Sequence, residues 1–223
     1  MELEVVFFEH GGKRIGWSIM ETRSMSLRHI AGLGNMIVSR SKELIRKLKR
    51  AGVGSRPVIW VTHSMGGILV KEMLHLMDVD LASAALAPDM LDSTIGCVFY
   101  STPHLGVPFI SNLLERSYRF FLLPSVEIKY LCEDSPQLNS LNASFIDLLK
   151  RKEIPCLSFI ETVPTKLPWT NYRTVLVPEK SANVIPGYCY RLNERHLNTC
   201  KPETRDSINY RALYQFIVQL LQD

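Results

Sequence analysis

The 223-residue sequence has no Cys-x-x-Cys pair and no two histidines at metal-ligand spacing. It has no run approaching the roughly 18 consecutive apolar residues that a membrane-spanning helix needs. Its five cysteines, Cys97, Cys132, Cys156, Cys189 and Cys200, are odd in number, and Cys97 and Cys156 sit in apolar runs. That usage argues against a disulfide framework and predicts reduced thiols in a compartment of intracellular redox poise. Gly32 and Gly34 lack the third glycine of a dinucleotide-binding turn and follow no strand pattern. The opening MELEVVFFEH carries acids where a secretory signal carries bases. Zinc-finger spacing and RNP-like aromatic signatures are missing, and the basic residues are not interleaved with aromatics, so nucleic acid is not an expected partner. Without a repeat, a low-complexity tract or a linker, one domain over 1–223 is expected.

What is present is an ordinary globular composition, 46% hydrophobic and 22% charged, with a net charge of +4 spread over scattered Lys and Arg. The one dense basic run, Arg40, Lys42, Arg46, Lys47, Lys49 and Arg50, has helical spacing. It reads as a solvated helix face, with contact to an anionic membrane surface as the alternative. Apolar, β-branched runs at 3–8, 58–61, 95–100, 155–160 and 174–177 predict short buried strands. Patterns of helical period fall between and after them, at 36–50, 68–77, 138–150 and 207–221. Strands alternating with helices imply parallel pairing through right-handed crossovers, hence a mostly parallel sheet between helices. The stretches 106–131 and 178–205 are long for plain connections; the first, rich in Tyr, Phe and Leu, reads as an apolar cap or as a helix on the sheet edge.

The chemistry concentrates in VIWVTHSMGGILVKEML, a buried strand, a tight turn and a helix. A nucleophile elbow has this form because its serine occupies a strained turn, which small residues two before and two after allow strand and helix to make. Ser64 is therefore the candidate nucleophile. Gly66 meets the size requirement, whereas Thr62 stands where glycine is usual. Met65, opening the helix, offers its N–H and the positive end of the helix dipole to an oxyanion.

In an elbow fold the partners follow in the order serine, acid, histidine. His196 lies in the long loop after the expected last strand, and Glu161 directly follows the strand at 155–160. Glu179 is the alternative acid, since it follows the run ending at Val177. Either carboxylate would hold the imidazole tautomer and stabilise the imidazolium. His63, beside the nucleophile, and His104, after the strand at 95–100, are candidates for the substrate pocket, His63 with its ring turned into the structure. No metal ligand set is expected.

The strings RPVIWVTHSMGGILVKEML, FYSTPHLG, LLPSVEIKYLCEDSPQL, SFIETVPT, VPEKSA and HLNTCKP occur in this order between residues 52 and 223. On them the chain resembles the lipase-type domain of the serine active site-containing protein 1 family. The resemblance implies an α/β-hydrolase without cofactor, with its nucleophile on Ser64 and its base on His196, and it makes Thr62 part of the family pattern. It further implies a lipid ester or phospholipid substrate, peripheral membrane contact, phosphatidylglycerol remodelling and cholesterol handling where mitochondria meet the endoplasmic reticulum. A non-catalytic scaffold of the same fold, binding lipid or a partner protein, is the alternative.

One expectation concerns the front of the chain. The second oxyanion donor of such folds comes from a loop after an early strand, and His10-Gly11-Gly12 has the look of that loop. It would require a further strand between residue 12 and the elbow, and no apolar run there supplies one. The expectation is accordingly a sheet lacking its first strands, with the oxyanion loop missing.

Overall fold

The run VIWVTH forms strand β3 (Val58–His63), and every residue of it is buried. The computed structural model describes residues 3–9, 22–26, 36–108, 131–133, 135–166 and 171–222. In it, β3 belongs to a six-stranded sheet with β1 (Glu4–Glu9), β2 (Thr22–Ser26), β4 (Thr94–Tyr100), β5 (Cys156–Glu161) and β8 (Tyr188–Leu192). The order is β2-β1-β3-β4-β5-β8, and all five pairings are parallel. Strands β6 (Thr165–Lys166) and β7 (Arg173–Thr174) form a separate antiparallel pair. The helices are α1 (Met36–Arg50), α2 (Met65–Val79), α3 (Leu81–Leu86), α4 (Pro88–Asp92), α5 (Pro136–Lys152), α6 (Glu179–Ala182) and α7 (Ile208–Leu220).

The two-residue period of a strand divides the core. Val58 and Trp60 of β3, Cys97 and Phe99 of β4 and Cys156 of β5 face one cluster, with side chains of α1, α2, α4 and α5. Ile59, Val61, Val98, Tyr100, Leu157 and Phe159 alternate with them and meet Ala212, Leu213 and Phe216 of α7 on the other face. The sheet is thus sandwiched between helices. Trp60, fully buried, gives up its water without leaving an orphan donor, because its indole N–H donates to Thr94 Oγ1 at 2.9 Å. Burying a ring of that size contributes roughly 3 kcal/mol.

Most expected elements lie within three residues of the observed ones at each end, and α1 spans the expected 36–50. Four differences have physical causes. Strand β2, TRSMS, has no apolar run to signal it; among the described residues it is an edge strand, held by its backbone ladder to β1. Strand β8, YCYRL, is the other edge, with four of five residues exposed, so burial patterning does not mark it either. The run at 174–177 is not a strand of the main sheet: only Arg173–Thr174 is extended into a pair, and Val177 is buried in the small cluster with Val107, Ile160 and Ala182. Helices α3 and α4 are short and owe their ends to caps, Asp80 accepting from the Ala82 N–H at 3.2 Å and Pro88 opening α4. Of the stretch 106–131, residues 109–130 lie outside the described residues, and with them the expected cap.

The dense basic run occupies α1, whose buried face carries Ile37, Leu44, Ile45 and Leu48. Arg46, Lys47, Lys49 and Arg50 are exposed at the C-terminal end, where cations complement the helix dipole. Lys42 pairs with Asp80 at 2.9 Å and Lys47 with Glu43 at 2.6 Å. The end of α1 connects to the start of β3, so this charge lies at the end of the sheet away from Ser64.

Candidate active site

Strand β3 ends at His63 and α2 begins at Met65, so Ser64 makes the whole turn between them. It does so at φ 55° and ψ −128°, a conformation that L residues rarely adopt and that costs about 1–3 kcal/mol. The surroundings enforce it: Ser64 N–H donates to Tyr100 O at 2.9 Å, and Gly67 N–H donates to Ser64 O at 3.1 Å. A Cβ on Gly67 would meet the Thr102 hydroxyl at 2.3 Å, so α2 reaches the loop after β4 only because that residue is glycine. Thr62, in the place of the usual glycine, is accommodated because its Oγ1 donates to Val98 O of the neighbouring strand at 2.8 Å. Met65, first residue of α2, carries one of the N–H groups that a helix leaves without an internal acceptor at its N-terminus.

Glu161 ends β5 and His196 opens a 3-10 turn (His196–Asn198) after β8. The parallel strands deliver both to the end of the sheet that carries the elbow. His196 Nε2 lies 2.9 Å from Ser64 Oγ, and His196 Nδ1 lies 2.8 Å from Glu161 Oε2. The second carboxylate oxygen accepts from the Val177 N–H at 2.6 Å. An ionised carboxylate accepts only, so Nδ1 carries the hydrogen in that contact and Nε2 is left as the acceptor facing the serine hydroxyl. The Glu161 side chain is 0% exposed and that of His196 8%. A proton can therefore pass from serine to imidazole with the resulting charge shielded from water and opposite a carboxylate.

Glu179 lies elsewhere. It opens α6 at the surface, where both its oxygens accept from the Arg191 guanidinium, one at 2.9 Å. That hydrogen-bonded arginine holds its carboxyl below the usual range. Of the two carboxylates offered by the sequence, the structure brings Glu161 to the imidazole and leaves Glu179 outside.

The two pocket candidates are both interior. His63 is buried beneath His196, its ring centroid 4.9 Å from that of the His196 ring and its Nε2 donating to the His196 carbonyl at 3.0 Å. His104 is fully buried, edge-on to Phe99, with its Nδ1 3.2 Å from Lys71 Nζ. Neither presents its ring to solvent as a pocket wall would. Nothing in the sequence points to Thr199, Ser101 and Asn209, which support His196 from below through contacts between residues 3, 98 and 10 apart in the chain. Among the described residues no group of His, Cys, Asp and Glu could hold a metal ion.

The expected absence of an oxyanion loop loses its ground. A strand does lie between residue 12 and the elbow, namely β2, and β1 runs directly beside β3 with Phe8 opposite Thr62. The β1 end nearest the elbow leads in sequence to His10-Gly11-Gly12, and residues 10–21 lie outside the described residues.

Lys71, on α2, is a fully buried cation source one face away from the triad. Its Nζ donates to Asn142 Oδ1 at 2.7 Å and sits 5.6 Å from the centre of the Phe145 ring. Burial lowers its pKa to about 7. In the unfolded chain the same amine titrates near 10.5, so above pH 7 the unfolded state binds more protons and folding stability rises with pH. Burial raises the Cys97 thiol and the Tyr100 phenol, which reverses the slope above their ordinary values of 9 and 10. Stability should therefore climb between pH 7 and 9, by at most about 3 kcal/mol at roughly 1.4 kcal/mol per unit. Urea midpoints at the two pH values check this. Lys71→Met should flatten the rise, and a wild-type midpoint equal at both would contradict it.

No family model matches the chain. It is 46% identical over 184 residues to Protein SERAC1 of Danio rerio and 42% identical over 190 residues to Protein SERAC1 of Homo sapiens. These alignments cover 82% and 83% of this chain but 27% of each relative, so the chain spans about a quarter of their length. Among solved structures it superposes on the RedJ thioesterase of Streptomyces coelicolor with a TM-score of 0.50 at 14% identity, over 96% of this chain and 84% of that one. Phospholipase PlaB of Legionella pneumophila gives the same score and identity over 71% of this chain and 37% of that one. Likeness at this identity fixes the fold: an α/β-hydrolase.

Proposed function

The chain belongs to the SERAC1 family over the 82% of its length that aligns, and from that premise we propose that it is a serine hydrolase or acyl transferase acting on lipid esters. The observation that carries the proposal is the position of one ring: the His196 imidazole bridges Ser64 Oγ and Glu161 Oε2 at 2.9 and 2.8 Å. A scaffold that only bound lipid would have no use for three polar side chains, the acid and the imidazole buried, aligned for proton transfer.

The reaction follows from that geometry. Ser64 Oγ attacks the acyl carbonyl carbon while its proton passes to His196 Nε2. Glu161 stabilises the imidazolium, and the oxyanion forms at the N-terminus of α2, against the Met65 N–H. Collapse breaks the bond to the alcohol oxygen, which takes the proton back from Nε2, leaving an ester on Ser64. Water then repeats the sequence to release the acid, or an acceptor alcohol does so to complete acyl transfer. The residues named supply every proton movement, and no cofactor enters.

The lipid nature of the acyl group is supported by the lipase and thioesterase neighbours, whose fold this chain shares. Phosphatidylglycerol remodelling, cholesterol handling, peripheral membrane contact and a place where mitochondria meet the endoplasmic reticulum extend the proposal on family resemblance. Hydrolysis of p-nitrophenyl esters from acetate to palmitate, together with fatty-acid release from phosphatidylglycerol vesicles, tests the substrate class. Turnover of esters and of vesicles is expected. A folded chain that hydrolyses neither would contradict the proposal.

A further inference from the structure

The loop that carries His196 has little regular structure of its own, yet the imidazole must meet Ser64 within a fraction of an ångström. What holds the main chain of His196 is specific. Its carbonyl oxygen accepts two hydrogen bonds, one from His63 Nε2 and one from Thr199 Oγ1, each 3.0 Å. A carbonyl only accepts, so His63 carries its hydrogen on Nε2. Thr199 is fixed in turn: Ser101 Oγ lies 3.4 Å from Thr199 Oγ1, and Asn209 Nδ2 of α7 donates to Thr199 O at 2.9 Å. His63, Thr199, Ser101 and Asn209 are all at most 5% exposed. In such a setting a hydrogen bond is strong and an unmade one is costly.

Resting on the proposed hydrolase reading, we propose that His63 is a positioning residue that, with Thr199, clamps the backbone of His196 so that the base stays in register with the nucleophile. His63 is the last residue of β3 and Ser64 makes the strained turn that follows it directly. The same two-residue unit therefore presents the nucleophile and grips the main chain of its base, and a shift of the elbow carries the base with it. Ser101, itself at φ 45° directly after β4, extends the grip to the neighbouring strand.

The substitution His63→Phe keeps a ring in the site and removes the donor, while His63→Gln offers an amide N–H near the place of Nε2. Thr199→Val removes the second donor with almost no change of shape. His63→Phe should lower kcat by about 10- to 100-fold on a short-chain ester, with KM within about twofold, because misplacement of a catalytic group acts on the chemical step. His63→Gln should recover most of that loss, and Thr199→Val should lower kcat severalfold. Amide hydrogen exchange reads the clamp without turnover: exchange across residues 193–201 should quicken in His63→Phe and in Thr199→Val, and stay near wild type in His63→Gln. A wild type without activity would overturn the hydrolase reading and leave exchange to decide the clamp. Unchanged exchange in His63→Phe and Thr199→Val overturns the clamp, as does a His63→Gln variant as impaired as His63→Phe. Should His63→Phe fail to fold, the Thr199→Val pair of measurements carries the decision.

Discussion

Ser64→Ala should reduce ester hydrolysis by about 10⁴- to 10⁶-fold in kcat while leaving the fold intact, the range seen when a triad loses its nucleophile. The size of the effect follows from the covalent step. With the hydroxyl gone, the imidazole has no attacking group to activate, and what remains is the binding and the dipole at the N-terminus of α2. The structural cost should be small, since alanine removes one oxygen, and the backbone bonds from Ser64 N–H to Tyr100 O and from Gly67 N–H to Ser64 O remain. Circular dichroism and the urea midpoint check the fold, and initial rates on an activated ester check the chemistry. A loss of less than tenfold would contradict the assignment of Ser64.

Glu161→Gln should cost about 10⁴ in kcat, by analogy with removal of the orienting acid in the serine-protease template. The amide can still accept from Val177 N–H, so the local fold is preserved. Toward His196, however, it has neither the charge that stabilises the imidazolium nor a guarantee of the right tautomer. Glu179→Gln provides the contrast. Its carboxylate is at the surface, paired with Arg191, and exposed pairs of this kind are screened by solvent and contribute little. That variant should retain activity within about twofold. If Glu179→Gln were the more damaging of the two, the structural pairing of Glu161 with His196 would not be the working one.

How far these residues could be read from sequence depends on the range of the interaction that defines them. The elbow is local: a buried strand, a turn and a helix fit within 58–79, and their residue types reveal them. The order of acid and base along the chain is a property of topology, so Glu161 and His196 could be named although the strand taken to precede His196 was misplaced, β8 standing where the run at 174–177 was expected. The choice between Glu161 and Glu179 stayed open because it depends on the partner each carboxylate meets, His196 or Arg191. Strands β2 and β8, which no apolar run signals, are at the edges of the sheet among the described residues, where hydrophobic patterning weakens. The clamp on His196 was illegible for a related reason. His63 and His196 are 133 residues apart, and a hydrogen bond to a backbone carbonyl leaves no trace in the identity of the residue that accepts it.

The proposed reaction rests on Ser64 acting as a nucleophile activated by His196 and Glu161. Incubation of the folded chain with a fluorophosphonate, followed by peptide mass spectrometry, tests it most directly, because the probe reacts covalently with activated serines. One phosphonate adduct is expected, on Ser64, formed much more slowly in Glu161→Gln and absent in Ser64→Ala. A folded wild-type chain that takes up no probe, or takes it up at another residue, would contradict it.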